Sequence, residues 1–415
     1  MTTTTRRLPA FPPVLGVDEL LFLLGVLAAP LAATLPSVAG RIGPAEACFA
    51  ASFLLIFGLR RRATLDAIRG NPLRWQVIAL IAALMLSAVL GVTGLRGVLQ
   101  AAALGFYLLI GIPLVMYHRK LVPLMWSVLA AVVLFDALSV LTAAAGFSFA
   151  AWDAGAGRYR TLLTPVGALA TSATALTGYF AAETLLRFRV WSAVALALCI
   201  LTVFYDQSRT AMMSVLLVIL VVGVALQLHR TRTVRFSVVR RLLYAVLGVV
   251  SLALAAFVLS RTDRVAEQLA TLSTSGSFEA TDVVRTLGYR EAVNAVIAHP
   301  WLGPGLGTVR DPLFDQVVHN AYLQLAADVG VFAAIALLLL LARSGQLVWG
   351  QVRETLRTGQ TDQAIFALAA LGVVLTLAVK FLFHPLGLVM SDWIHFLVAA
   401  SAFGTSPRMG AHATA

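Results

Sequence analysis

The chain has 415 residues, 60% of them hydrophobic and only 12% charged, where a soluble domain carries roughly 25% charged residues. Mean hydropathy is +0.89 and the apolar residues form long continuous runs, which excludes a soluble protein and a β-barrel and defines an all-α polytopic membrane protein. The net charge of +12 does not mark a nucleic-acid binder, because the arginines sit in loops between apolar runs.

About twelve runs have the 17–25 residues needed to cross a bilayer, at about 17–37, 44–59, 76–95, 98–117, 121–145, 163–185, 190–205, 210–228, 242–260, 320–342, 364–383 and 386–403. The N-terminal TTTTRRLPAFPP shows no signal-peptide cleavage pattern, so the first run is expected to be a retained span. Cys48 and Cys199 fall inside apolar runs and read as buried thiols, with neither a disulfide framework nor a metal motif.

With the N-terminus in the cytoplasm, the inner segments hold Arg60, Arg61, Arg62, Arg69, Arg74, Arg119, Lys120, Arg187, Arg189, Arg353 and Arg357, among others. The outer segments hold fewer cations, including Arg41, Arg96, Arg158, Arg160, Arg209, Arg261, Arg264, Arg285, Arg290 and Arg310. The bias is positive-inside and places both termini in the cytoplasm. The expected organisation is spans 1–9 over residues 1–260, an outer helical insertion over 261–319, and spans 10–12 with a cytoplasmic tail over 320–415. In a Gram-negative cell the insertion faces the periplasm.

Two helices are expected within the insertion, over 262–272 and 281–298. Thr281 and Asp282 suit an N-cap and a first-turn acid, and His299-Pro300 ends the second helix. Gly303, Pro304, Gly305 and Gly307 then form a turn-rich loop.

The residues able to do chemistry gather on this outer side. Arg209, in YDQSRTAM, stands at the outer end of a span; it is either a snorkelling anchor paired with Asp206 or a functional cation. Arg290 follows Tyr289 on the outer helix, and Arg285, five residues earlier, is not on the same face. Guanidinium groups fork onto phosphate oxygens, so two of them facing a lipid head group would make a diphosphate clamp. His319 precedes Asn320 at a span start and is either a general base or a helix-entry residue. His384 is a second outer candidate, and Arg158 and Arg160 form a third outer cationic site, which either holds a sugar or phosphate or marks the membrane surface. His395 reads as a satisfied core polar group. No P-loop, GxSxG or zinc spacing is present, and a metal-free, cofactor-free reaction is expected.

Three segments carry a family resemblance. SRTAMMSVLL from Ser208, YREAVNAVIAHPWLGPGLGTV from Tyr289 and HNAYLQLAADVGVFA from His319 occur in that order on one expected membrane face. In them the chain resembles the O-antigen ligase and polymerase superfamily of bacterial membrane glycosyltransferases. GRYRTLLTPVGALA from Gly157 is a less specific fourth segment. The likeness spans about residues 157–342; elsewhere only the hydropathy matches.

The resemblance implies a lipid-donor glycosyltransferase fold in the inner membrane, with a periplasmic active site. It implies catalytic roles for His319, Arg290 and Arg209, and substrate contacts from Arg158, Arg160, Tyr289, Asn320, Arg285 and His384. The implied donor is an undecaprenyl-diphosphate-linked glycan and the implied acceptor the lipid A-core oligosaccharide, joined with inversion and without metal in lipopolysaccharide biosynthesis. Protein-glycosylating relatives often carry extra periplasmic sequence, and the short tail favours the ligase among the readings. A polymerase extending the glycan on its carrier is the alternative. Transport of a lipid-linked glycan is the alternative of another class, opposed by the lack of internal symmetry. A non-catalytic scaffold would tolerate loss of His319.

Overall fold

The computed structural model describes residues 15–31, 43–144, 151–153, 158–160, 168–187, 189–205, 208–228, 280–312, 315–388 and 390–403. These residues are nearly all helical. In chain order the helices are α1 Val17–Ala28, α2 Pro44–Arg69, α3 Arg74–Leu90, α4 Gly94–Gly105, α5 Ile112–Tyr117, α6 Val122–Ala144, α7 Ala168–Arg187, α8 Val190–Tyr205 and α9 Arg209–Leu228. They continue with α10 Ala280–Ala298, α11 Ala321–Asp328, α12 Val331–Thr358, α13 Thr361–Phe383 and α14 Met390–Ala399. The one sheet among the described residues is a small antiparallel hairpin, β1 Ala151–Asp153 with β2 Arg158–Arg160.

Among the described residues five helical segments are long and apolar enough to cross a membrane: Gly94–Tyr117, Arg119–Val140, Thr210–Leu228, Val331–Thr358 and Thr361–Phe383. Arg74–Leu90 and Val190–Val203 are shorter apolar helices. The expected span at 242–260 and the expected helix at 262–272 lie outside the described residues. In the first of the five, α4 and α5 are joined by a π-helical turn, Phe106–Gly111. Pro113 comes two residues after this turn and has no N–H to donate, which loosens the ladder there.

Two expected spans differ from the structure. The run 320–342 is broken into α11 and α12 at Gly330, whose φ is +123°. The run 386–403 holds a helix of only ten residues, Met390–Ala399, after a non-helical approach. The helix expected over 281–298 starts at Ala280, so Thr281 lies inside it and is not its cap.

α7 and α13 cross at two glycines. A Cβ on Gly178 would sit 3.2 Å from the Cα of Gly372, and Val218 of α9 closes on the same point. Small residues at a crossing let backbones approach where lipid supplies no hydrophobic drive.

Polar contacts fix which ends of these helices lie together. Glu183, 1% exposed, meets Arg187 Nη1 at 3.4 Å, Arg189 Nη1 at 3.2 Å and Ser192 Oγ at 2.9 Å. Arg187 also pairs with Asp362 at the start of α13. The end of α7, the start of α8 and the start of α13 therefore share one end of the bundle. α13 has 23 residues, a rise of about 34 Å, so its far end marks the opposite side. Thr174 Oγ1 lies 3.5 Å from the Ala211 carbonyl oxygen, which sets the first turns of α7 beside the start of α9 on that opposite side.

Candidate functional site

On that opposite side α13 ends beside Asn320, whose Nδ2 donates to the Leu382 carbonyl oxygen at 3.0 Å. The other half of the same amide caps α11: Asn320 Oδ1 accepts from the Leu323 N–H at 2.9 Å. Asn320 thus has both ends engaged by the fold and fixes the direction in which the chain leaves His319. Ser208 does the same for α9, its Oγ accepting from the Ala211 N–H at 3.3 Å. Each of the two motif residues, Arg209 and His319, is therefore adjacent in sequence to the capping residue of a helix start.

His319 is half-buried. Burial lowers its pKa below the ordinary imidazole value and the Arg285 charge lowers it further; a hydrogen bond with the Val317 backbone and the Asp311 carboxylate oppose this. The imidazole is therefore neutral at neutral pH, the form in which it can take a proton. Its backbone is held by Tyr289, whose hydroxyl donates to the His319 carbonyl oxygen at 3.1 Å. Beneath this contact Ala292, Val318 and Ala327 form a buried apolar cluster, with Tyr289, Ala295, Val296, Val309 and Leu323 packed on it. This cluster seats α10 on α11.

Arg285 and Tyr289 stand one turn apart on α10 and both are partly buried, whereas Arg290 is exposed. The Arg285 charge also acts on the Tyr289 hydroxyl, lowering a pKa that burial raises. Of the two outer-helix arginines, Arg285 is the one whose charge reaches His319.

Arg310 is engaged locally. Its Nε donates to the Gly307 carbonyl oxygen at 3.0 Å and its Nη1 meets Asp315 Oδ2 at 2.8 Å, closing a turn whose ends bridge at Arg310 and Val317. His384 is half-buried and follows α13 directly; its N–H bonds the Lys380 carbonyl oxygen at 2.9 Å. Lys380 pairs with Asp392 at 2.8 Å. Arg209 is the first residue of α9, and Arg158 and Arg160 form β2; the side chains of these three lie outside the described set. His395 is buried, and its Nε2 has no hydrogen-bond partner among the described residues, so it is not the satisfied polar group expected.

Asp328 was not singled out from the sequence. It is 0% exposed at the end of α11. Its Oδ2 accepts from the Gly307 N–H at 2.6 Å, and its Oδ1 from the Val309 N–H at 2.7 Å and from Thr308 Oγ1 at 3.4 Å. Burial pushes its pKa up to about 6, against the hydrogen bonds from Val309, Gly307, Gln324 and Thr308. A lone acid eight residues after Asn320 in an apolar run was the available signal. Among the described residues no group of three or more His, Cys, Asp or Glu side chains forms a metal site.

The class defined here is a multi-pass helical membrane protein that gathers a partly buried histidine, an arginine and a glycine-rich turn at one end of its bundle. A family model described as O-antigen ligase matches residues 194–338. Over that segment the chain is similar to the O-antigen ligase family, in line with the sequence resemblance. The matched segment contains Arg209, Arg285, Tyr289, Arg290, His319, Asn320 and Asp328, and leaves out Arg158, Arg160 and His384. No curated protein matches the chain.

Proposed function

We propose that this protein is an O-antigen ligase. It transfers a glycan from undecaprenyl diphosphate to the lipid A-core oligosaccharide at the periplasmic face of the inner membrane. The observation that carries this reading is the partly buried His319, held through its carbonyl by Tyr289 on the helix that also bears Arg285, inside the segment matched by the O-antigen ligase family.

In the reaction the acceptor hydroxyl gives its proton to the imidazole of His319. The acceptor oxygen attacks the anomeric carbon from the side opposite the diphosphate, the bond to the diphosphate oxygen breaks, and undecaprenyl diphosphate leaves. Inversion follows from this geometry. Arg209, together with Arg285 or Arg290, would fork onto the diphosphate and stabilise the charge that grows on it, as preorganised donors do. We favour Arg285 as the inner member, because its charge reaches His319, and assign exposed Arg290 an outer contact with diphosphate or glycan. Arg158, Arg160 and His384 would contact the acceptor or donor glycan, with Tyr289 and Asn320 holding the histidine. No metal or cofactor takes part in the proposed step.

The orientation is supported by charge. The end of the bundle opposite His319 carries Arg187 and Arg189, paired to Glu183, with Arg353 and Arg357 near the end of α12. By the positive-inside rule that end is cytoplasmic, which sets His319 outside.

The test is transfer by the purified protein in detergent, with undecaprenyl-diphosphate-linked glycan and lipid A-core, with and without chelator. A chelator-resistant single-step shift of the core band is expected. Longer glycans on the carrier with the core untouched would mean a polymerase, and no product in either form would reopen transport or a scaffold role.

A further inference from the structure

The glycine-rich turn Gly303–Thr308 has the composition of a phosphate-cradling loop, and in a diphosphate-handling enzyme that is the natural first reading of it. The hydrogen bonds point elsewhere. Gly307 N–H and Val309 N–H are both directed at the Asp328 carboxylate, at 2.6 and 2.7 Å, and Gly305 N–H donates to the Asp328 backbone carbonyl oxygen at 2.6 Å. Gly303 N–H donates to the Val329 carbonyl oxygen at 3.1 Å. The anion that this turn cradles is part of the protein.

The same turn is gripped from both sides. Ser87 Oγ at the end of α3 lies 3.2 Å from the Gly303 carbonyl oxygen and 3.3 Å from that of Asp328. Val92 N–H donates to the Pro304 carbonyl oxygen at 2.8 Å, and Val331 N–H to that of Pro300 at 2.9 Å. The backbones are so close that a Cβ on Gly303 would lie 2.4 Å from the Asp328 carbonyl oxygen, and one on Gly91 2.3 Å from that of Pro304. Val309, whose N–H Asp328 holds, packs in the cluster with Tyr289 and Val318, and Tyr289 bonds His319. A continuous path therefore runs from the Asp328 carboxylate through Val309 to the Ala292–Val318–Ala327 cluster, and from that cluster through Tyr289 to the backbone of His319.

We propose that Asp328 is a positioning residue for the transfer reaction. Its carboxylate fills the nest of the glycine-rich turn, excludes substrate phosphate from it, and locks the turn so that α10 presents Arg285 and Tyr289 to His319. This rests on the glycan-transfer reading above. Diphosphate binding is thereby left to arginine side chains and not to the loop backbone.

The experiment compares purified wild type with Asp328→Asn, Thr308→Val and His319→Ala. It measures kcat and donor KM, and hydrogen exchange of the segments 303–309 and 285–298. An amide oxygen offers no charge to two converging N–H groups, so Asp328→Asn should open both segments to exchange. It should lower kcat by about 10²-fold, the scale of a small misplacement of reacting groups, while donor KM stays as in wild type. Thr308→Val removes a hydroxyl that donates to the Gly305 carbonyl oxygen at 2.6 Å and lies 3.4 Å from Asp328 Oδ1, so it loosens the same turn and should show the same pattern in smaller degree. It carries the test if Asp328→Asn cannot be recovered folded. Wild-type kcat and exchange in the recovered variants would overturn the proposal, as would a loss confined to donor KM, which would make the turn a substrate cradle. Absence of transfer product from the wild type would instead bring down the transfer reading itself, and full activity in His319→Ala only the role of His319 as base, so the failures are separable.

Discussion

The Tyr289 hydroxyl donates to the backbone carbonyl oxygen of His319 across 3.1 Å, joining two residues thirty apart in sequence. This bond ties α10 to the start of α11 and holds the backbone that carries the imidazole. Tyr289→Phe keeps the ring in its apolar cluster and removes only the hydrogen bond. It should lower stability by about 1 kcal/mol and the transfer rate by roughly tenfold through misplacement of His319. Thermal unfolding in detergent and initial rates check the two effects; a variant with wild-type rate would remove Tyr289 from the site.

The pH dependence follows from His319. Its folded pKa lies below the ordinary value of 6.5, by burial first and Arg285 second. The acid limb of kcat/KM should therefore lie below pH 6.5. Arg285→Gln removes a charge that lowers the pKa, so the limb should move upward. The stability term has the matching sign. As pH falls below about 6.5 the unfolded chain takes up a proton that the native state declines, so this residue costs stability on the acid side. A pH–rate profile of both proteins decides it; a downward shift in Arg285→Gln would contradict the account.

The two outer-helix arginines should separate. Arg285→Lys loses a fork at a partly buried position and should cost about 10²-fold in rate. Arg290→Lys, exposed on the neighbouring face, should be tolerated better. Initial rates of the two variants test this, and the reverse order would restore Arg290 as the inner cation.

Glycines separate by environment. Gly330 has φ +123° and a Cβ there would lie 2.3 Å from the Trp301 carbonyl oxygen, so Gly330→Ala should cost more than about 2 kcal/mol. Gly359 ends α12 at φ +72° with open space around it, so Gly359→Ala should cost only about 1–2 kcal/mol. Unfolding midpoints of the two variants give the ranking.

Much of this was legible in the sequence, and the rest has a physical reason for being hidden. α6 and α10 fall within a residue or two of their expected bounds, because a long apolar run and a His-Pro stop are local signals. The break at Gly330 was hidden because residues on both sides of it are apolar; it is made by the Trp301 backbone, far away in sequence. The site itself was read as a set of residue types on one face. Which arginine approaches His319 depends on how α10 is rotated on α11, and that rotation is set by the Ala292–Val318–Ala327 cluster. Arg310 was one of several outer cations in the sequence, and it closes its own turn with Asp315. Asp328 was passed over because an acid in an apolar run shows its meaning only when the N–H groups of a distant turn converge on it.

The most direct test of the central claim is the single-turnover rate of glycan transfer to lipid A-core by His319→Ala against wild type, at equal amounts of folded protein and saturating donor. Loss of a general base predicts a fall of about 10²–10⁴-fold with donor affinity retained. A rate equal to wild type would contradict the claim that His319 takes the acceptor's proton.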